Sequence, residues 1–143
     1  MNFSQLVEFA GNHSLLVMAF IGVLFLIIVT ELNRKRMTMR DVGPMQLTQL
    51  VNHQDGMVLD VRDAAVFKQG HIVNAKNIPI EQLPKRLNEL ENHKDKPIIV
   101  CCQRGVTSLR GVNVLTHAGF DKVFNLKGGI NGWVADKLPL SKK

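Results

Sequence analysis

Residues 15–29 read LLVMAFIGVLFLIIV, fifteen in a row without a charge, and no other feature restricts the fold of this 143-residue chain so strongly. With Ser14 and Thr30 the run is seventeen residues long. As a helix it measures about 26 Å, near the ~30 Å hydrocarbon thickness of a bilayer once Asn12, His13 and Glu31 reach the interfaces. Twelve of the fifteen are Leu, Ile, Val or Phe, which together favour insertion by about 4 to 7 kcal/mol. A cleaved signal peptide would carry Lys or Arg before its apolar region and a small-residue cleavage site after it. Residues 1–13 contain neither basic residue, and the far side reads ELNRKRM. The pattern therefore predicts an uncleaved anchor over residues 14–30, a short exported segment over 1–13 and a basic juxtamembrane linker over 31–36. Arg34, Lys35, Arg36 and Arg40 set the orientation, because positive charge stays on the cytoplasmic side. The expectation is a single-pass protein of an inner or plasma membrane, with its amino end outside and residues 37–143 in the cytoplasm.

Those remaining residues suffice for one small domain and no more. The formal net charge is +6, and four of the positive charges follow the apolar block directly, so the basicity is juxtamembrane and does not point to nucleic acid. Cys101 and Cys102 are the only cysteines. Neighbours in sequence pair only through a strained ring, which excludes a disulfide-stapled scaffold, and two adjacent thiols do not make a zinc knuckle. Thiol chemistry in a reducing compartment stays open.

From residue 37 onward, short apolar runs alternate with helix-like stretches. MVLD (57–60), PIIVC (97–101) and VFNL (123–126) read as strands, with shorter extended pieces at Thr38 and at residues 77–78. One helix opens at Pro44 and carries Leu47, Leu50 and Val51; another runs to Glu91 with Leu83, Leu87 and Leu90 on one face; a third starts near Thr107 or Ser108 and stops at Gly119. Apolar strands separated by helices imply an α/β fold with a mainly parallel sheet covered on both faces. Ligands of such sheets sit beyond the carboxyl ends of the strands, so the residues after PIIVC come first as a candidate site.

There the chain reads Cys101-Cys102-Gln103-Arg104-Gly105-Val106-Thr107-Ser108. A cysteine between a buried strand and a helix start has unpaired amides and the positive end of the helix beside its sulfur, which favours the thiolate. A helix terminus contributes about 0.3–2 kcal/mol to an anion, enough to bring a thiol pKa of ~8.5 to around 7. Cys101, still inside the apolar strand, is expected to be a buried hydrophobe, and Cys102 the reactive thiol. Gly105 lets the loop curl with its amides inward, while Arg104 and Arg110 add positive potential toward an anionic substrate.

These residues resemble the rhodanese family. CQRGVTS is similar to the active-site loops of thiosulfate sulfurtransferases, MVLDVRDAAVFKQGHIVNAKNIP follows the family's succession of Asp-Val-Arg, Phe, Gly-His-Ile and Asn-Ile-Pro, and VFNLKGGINGW resembles its terminal Gly-Gly and Gly-Trp segment. Many relatives have Arg at the last loop position, where this chain has Thr107. The resemblance implies a rhodanese-like domain over residues 37–143 and sulfur transfer without metal or organic cofactor. Cys102 would attack a small anionic donor such as thiosulfate, release sulfite and hold a persulfide until a thiol, protein or cyanide acceptor takes the sulfur. The amides of Gln103, Arg104, Gly105, Val106, Thr107 and Ser108 would bind the charged group. A different class of function is also open: a rhodanese-like interaction module that the helix brings to a membrane-protein partner. A cysteine phosphatase is disfavoured, because the position six after the nucleophile is Thr107 or Ser108 where phosphate clamping requires Arg.

Other residues read more simply as scaffold. Asp60 and Arg62 suggest an ion pair that fixes local geometry. His71 suggests a turn residue bonded to backbone. Gly128, Gly129 and Gly132 suggest turns and close packing beside Trp133, and Lys127 a solvated side chain.

Overall fold

The computed structural model describes residues 12–38 and 40–142, without the side chains of residues 33–38. It divides into two compact units, the second beginning at Arg40. In the first, helix α1 spans Ser14–Thr38, so the stretch 31–36 expected to link the units is helical. Its segment Ser14–Leu32 has a mean hydropathy of 2.8 and is long and apolar enough to cross a membrane. Leu15, Phe20, Ile21, Phe25 and Ile28 are all exposed, a surface stable in hydrocarbon and not in water. Within this segment the Thr30 hydroxyl donates to the Ile27 carbonyl at 2.9 Å, so the polar group is satisfied inside the helix.

The second unit is a five-stranded parallel sheet with helices on both faces, the α/β architecture expected. Its elements are β1 (Asp41–Val42), α2 (Pro44–Gln54), β2 (Met57–Asp60), α3 (Ala64–Gln69), β3 (Lys76–Asn77), two 3₁₀ turns (Leu83–Lys85 and Leu87–His93), β4 (Ile98–Cys101), α4 (Thr107–His117), β5 (Val123–Leu126) and α5 (Gly129–Ala135). The strand order is β1-β5-β4-β2-β3, with β4 paired to β2 from Met57↔Ile98 to Asp60↔Cys101 and to β5 from Ile98↔Val123. The central strand is thus covered on both edges and both faces, which is why IIVC carries no polar side chain.

Strand alternation divides the core. Ile98, Val100 and Cys102 pack on one face with Leu59, Leu83, Leu90, Val112 and Leu115. Ile99 and Cys101 pack on the other with Leu47, Ile130 and Trp133. The period of two therefore sends the paired cysteines into opposite layers.

Three local expectations are corrected. The short strand expected at Thr38 forms at Asp41–Val42 instead, since Thr38 is the last residue of α1. The helix expected to reach Glu91 is a pair of 3₁₀ turns. Pro84 lacks an amide hydrogen, Arg86 leaves helical geometry at φ −118°, and the three-residue step from Leu87 to Leu90 aligns on one face of a 3₁₀ helix. Gly129 and Gly132, read as turn positions, lie within helix α5.

Candidate active site

Strand β4 ends at Cys101, and residues 102–106 turn into α4. The turn closes around one sulfur. The Gly105 amide donates to Cys102 Sγ at 3.2 Å, and the Ser108 hydroxyl lies 3.3 Å away. Ser108 reaches the sulfur because it is the second residue of α4, one helical turn above the strand end. On the outer side the loop's carbonyls point away from the sulfur, toward α5: Ile130 N–H donates to the Cys102 carbonyl at 2.9 Å and Asn131 N–H to that of Gln103 at 3.0 Å. Taking the carbonyls outward leaves the amides facing inward, the arrangement that stabilises an anion. Gly105 adopts φ +81°, as the curl requires.

Cys102 is 5% exposed, and this burial pushes its thiol pKa up. The Ser108 hydroxyl and the amides of Ser108, Arg104 and Gly105 outweigh that effect, so the net displacement is downward. Cys101 moves the opposite way. Burial and the nearby Asp60 carboxylate raise it well above the ordinary thiol range, against a smaller lowering by Arg62. Two adjacent thiols thus differ in acidity because alternation puts one among amides and the other among hydrocarbon.

A polar layer supports the loop. Ser108 Oγ donates to Asn125 Oδ1 at 2.6 Å, while Asn125 Nδ2 donates to Asp41 Oδ1 at 2.7 Å and to the Gly105 carbonyl at 3.1 Å. Beside it, Arg62 binds the fully buried Asp60 through Nε and Nη2, the latter at 2.7 Å. Arg62 also donates to the Gly70 carbonyl and, at 2.9 Å, to Gln103 Oε1. Gln103 Nε2 in turn donates to Asn131 Oδ1 at 2.6 Å. The Asp60–Arg62 pair therefore holds the loop in place and does not touch the sulfur, as its scaffold reading anticipates.

Of the residues expected to bind substrate, Gly105 and Ser108 are buried against Cys102. Gln103, Arg104, Val106 and Thr107 are exposed around the loop. Arg110 is exposed on α4 and pairs with Glu81 at 3.6 Å. His71, expected in a turn, instead forms an isolated antiparallel bridge with Ser141; its Nδ1 lies 3.0 Å from the Phe67 carbonyl, a backbone partner as expected, and its ring stacks on Phe67. Sequence reasoning missed Asn125, Asp41 and Asn131. The one available signal was the polar Asn inside the otherwise apolar run VFNL.

A family model for the rhodanese-like domain matches residues 44–136. The chain belongs to the rhodanese family. Among rhodanese relatives, the protein YibN of Escherichia coli (strain K12) is 36% identical over 137 residues, covering 95% of this chain and 96% of its own length. The thiosulfate sulfurtransferase GlpE of Glaesserella parasuis serovar 5 (strain SH0165) is 31% identical over 103 residues, 72% of this chain and 94% of that one. Among solved structures, a rhodanese-related protein from Thermoplasma volcanium superposes with a TM-score of 0.66 at 30% identity, covering 73% of this chain and 99% of that one. The GlpE and Thermoplasma matches are shorter than the YibN match, which takes in nearly the whole chain.

Proposed function

We propose that this rhodanese is a membrane-anchored sulfurtransferase, facing the cytoplasm, that carries sulfane sulfur as a persulfide on Cys102. The observation that carries this reading is the contact of the Gly105 amide and the Ser108 hydroxyl with Cys102 Sγ, supported by the similarity to a protein named as a thiosulfate sulfurtransferase. The Cys102 thiolate attacks the outer sulfur of thiosulfate. A Cys102–sulfur bond forms as the outer sulfur parts from the sulfonate sulfur, whose bonding pair leaves with sulfite. The outer sulfur keeps the negative charge it carries in thiosulfate, and sulfite leaves as the dianion, so no proton need move in this step. A thiol, protein or cyanide acceptor then takes that sulfur and returns the cysteine. The chemistry proposed needs neither metal nor organic cofactor. Arg104, at the loop's edge, adds positive potential for an anionic donor.

Intact-protein mass spectrometry of the full chain in detergent tests the reading. Thiosulfate should add the mass of one sulfur atom to the parent and nothing to Cys102→Ser, with release of sulfite. A parent that gains no sulfur, or a Cys102→Ala chain that turns over thiosulfate as fast as the parent, overturns it.

Helix α1 favours a second role beside the first, because a freely diffusing donor does not require an anchored enzyme. In that role the helix brings the domain to a membrane-protein partner. Co-purification of such a partner should survive Cys102→Ser and be lost when α1 is replaced by an unrelated apolar helix; absence of any crosslinked partner counts against it.

A further inference from the structure

We propose that Asn125 is a positioning residue for Cys102, acting through the single hydroxyl hydrogen of Ser108 to set the cost of placing negative charge on Sγ. The role rests on Cys102 being the working nucleophile, as in the reading above.

The orientation of the Asn125 amide follows from its partners. Nδ2 faces the Asp41 carboxylate at 2.7 Å and the Gly105 carbonyl at 3.1 Å, and both are acceptors. A flipped amide would set Oδ1 against two oxygens, so Oδ1 must face Ser108, 2.6 Å away. Ser108 then has one hydrogen and two claimants, Asn125 Oδ1 and Cys102 Sγ.

In the thiol the chain of donors is complete. Cys102 S–H donates to Ser108 Oγ, and Ser108 O–H donates to Asn125 Oδ1. Ionisation removes the first hydrogen and opens a conflict. If Ser108 turns toward the sulfur, Asn125 Oδ1 loses its donor in a residue only 2% exposed. If Ser108 stays with Asn125, the sulfur is left with backbone amides alone. Either outcome costs one hydrogen bond that the loop amides must offset. In a persulfide Sγ is bonded to a second sulfur and the charge has moved outward, so the Ser108 hydrogen can return to Asn125. The arrangement thus disfavours charge on Sγ relative to charge on the sulfur being carried.

Charged groups around the sulfur do not provide this effect directly. Asp41 on β1 is engaged by Asn125, Asp60 at the end of β2 by Arg62, and Arg110 on α4 by Glu81, while Arg104 is exposed in the loop. Strands β4 and β5 and helix α5 carry no charged residue. Gly105 N–H and the Ser108 hydroxyl lie within hydrogen-bond reach of Sγ, with the amides of Ser108 and Arg104 also favouring its charge.

The test is a double-mutant cycle on the full chain in detergent, using the pH dependence of iodoacetamide alkylation at Cys102 in the parent, Asn125→Leu, Ser108→Ala and the double variant. Removing Asn125 also frees the Gly105 carbonyl, and that disturbance is common to both backgrounds. With Ser108 present, Asn125→Leu should place the inflection roughly 0.5–1 pH unit lower than the same substitution does with Ala at 108. Equal displacements in the two backgrounds, or a coupling of opposite sign, overturn the proposal. If Asn125→Leu fails to fold, the same cycle with Asp41→Ala should give a smaller coupling of the same sign, because Asp41 orients the amide; its absence is equally decisive. Alkylation needs no sulfur donor. A chain that passes this cycle and takes no sulfur from thiosulfate refutes the sulfurtransferase reading and leaves the role of Asn125 standing.

Discussion

Gly129→Ala is the substitution whose effect follows most directly from the geometry. Gly129 has φ +59°, and a Cβ built there would lie 2.2 Å from the Cys102 carbonyl oxygen, 2.7 Å from the Gly105 nitrogen and 2.8 Å from the Gln103 carbonyl carbon. All three are backbone atoms of the cysteine loop, so no side chain can swing aside to relieve the contact. The left-handed conformation alone costs alanine about 1–2 kcal/mol. Retreat of the loop also breaks the bonds from Ile130 and Asn131 to the carbonyls of Cys102 and Gln103, at about 1 kcal/mol each. The expected loss is about 3–4 kcal/mol, a large share of the stability of a small domain. Gly119→Ala is the matched control: it has φ +87° and open space around the added carbon, so it should lose only the strain of about 1–2 kcal/mol. Urea unfolding of the full chain in micelles measures both, with the single buried Trp133 on α5 as the fluorescent probe. Alkylation of Cys102 should also shift to higher pH in Gly129→Ala, since the Gly105 amide is displaced from the sulfur. If Gly129→Ala costs no more than Gly119→Ala and leaves the alkylation profile unchanged, the account of the loop as pinned by α5 is wrong.

Removing Arg62 should be as damaging for a different reason. Arg62→Ala strands the buried Asp60 carboxylate at a cost of about 3–5 kcal/mol, and Arg62→Lys should recover less than half of it because the forked contact is lost; unfolding free energies within 1 kcal/mol of the parent would contradict the pairing. The two thiols should also separate cleanly by labelling. Because hydrogen bonds hold the Cys102 pKa down and burial holds the Cys101 pKa up, the thiolate of Cys102 persists as pH falls below the ordinary thiol value. Native chain near neutral pH should therefore take one iodoacetamide, at Cys102, with an inflection below ~8.5, and a second only after unfolding. Two labels on the native chain, or an inflection at or above ~8.5, would refute this assignment.

The strands MVLD, IIVC and VFNL were legible because uninterrupted apolar runs of that length suit a sheet buried on both faces. The helices at Pro44 and Thr107 were legible from a proline at the first turn and a glycine past the end. Helix α5 was not, because GINGWVA contains two glycines and reads as a turn. Its glycine opening is what lets α5 approach the cysteine loop within hydrogen-bond reach. The stretch from Leu83 to Glu91 had a helical apolar pattern, yet Pro84 and the i+3 spacing made tighter turns of it. At the site, Cys102 and the amides after it followed from one contiguous segment. Asn125 and Asp41 come from strands far along the chain, so their hydrogen bonds to the loop had no local signature.

Composition and local pattern were thus enough for an apolar helix of bilayer length, a parallel α/β domain, and a cysteine placed where a strand turns into a helix, since each depends on residues adjacent in the chain. The direction each thiol faces, the seating of the loop on α5 and the competition for the Ser108 hydrogen arose with folding. They depend on which distant backbone and amide groups the sheet order brings within 3 Å or so of one another, and hydrogen bonds act only at that range.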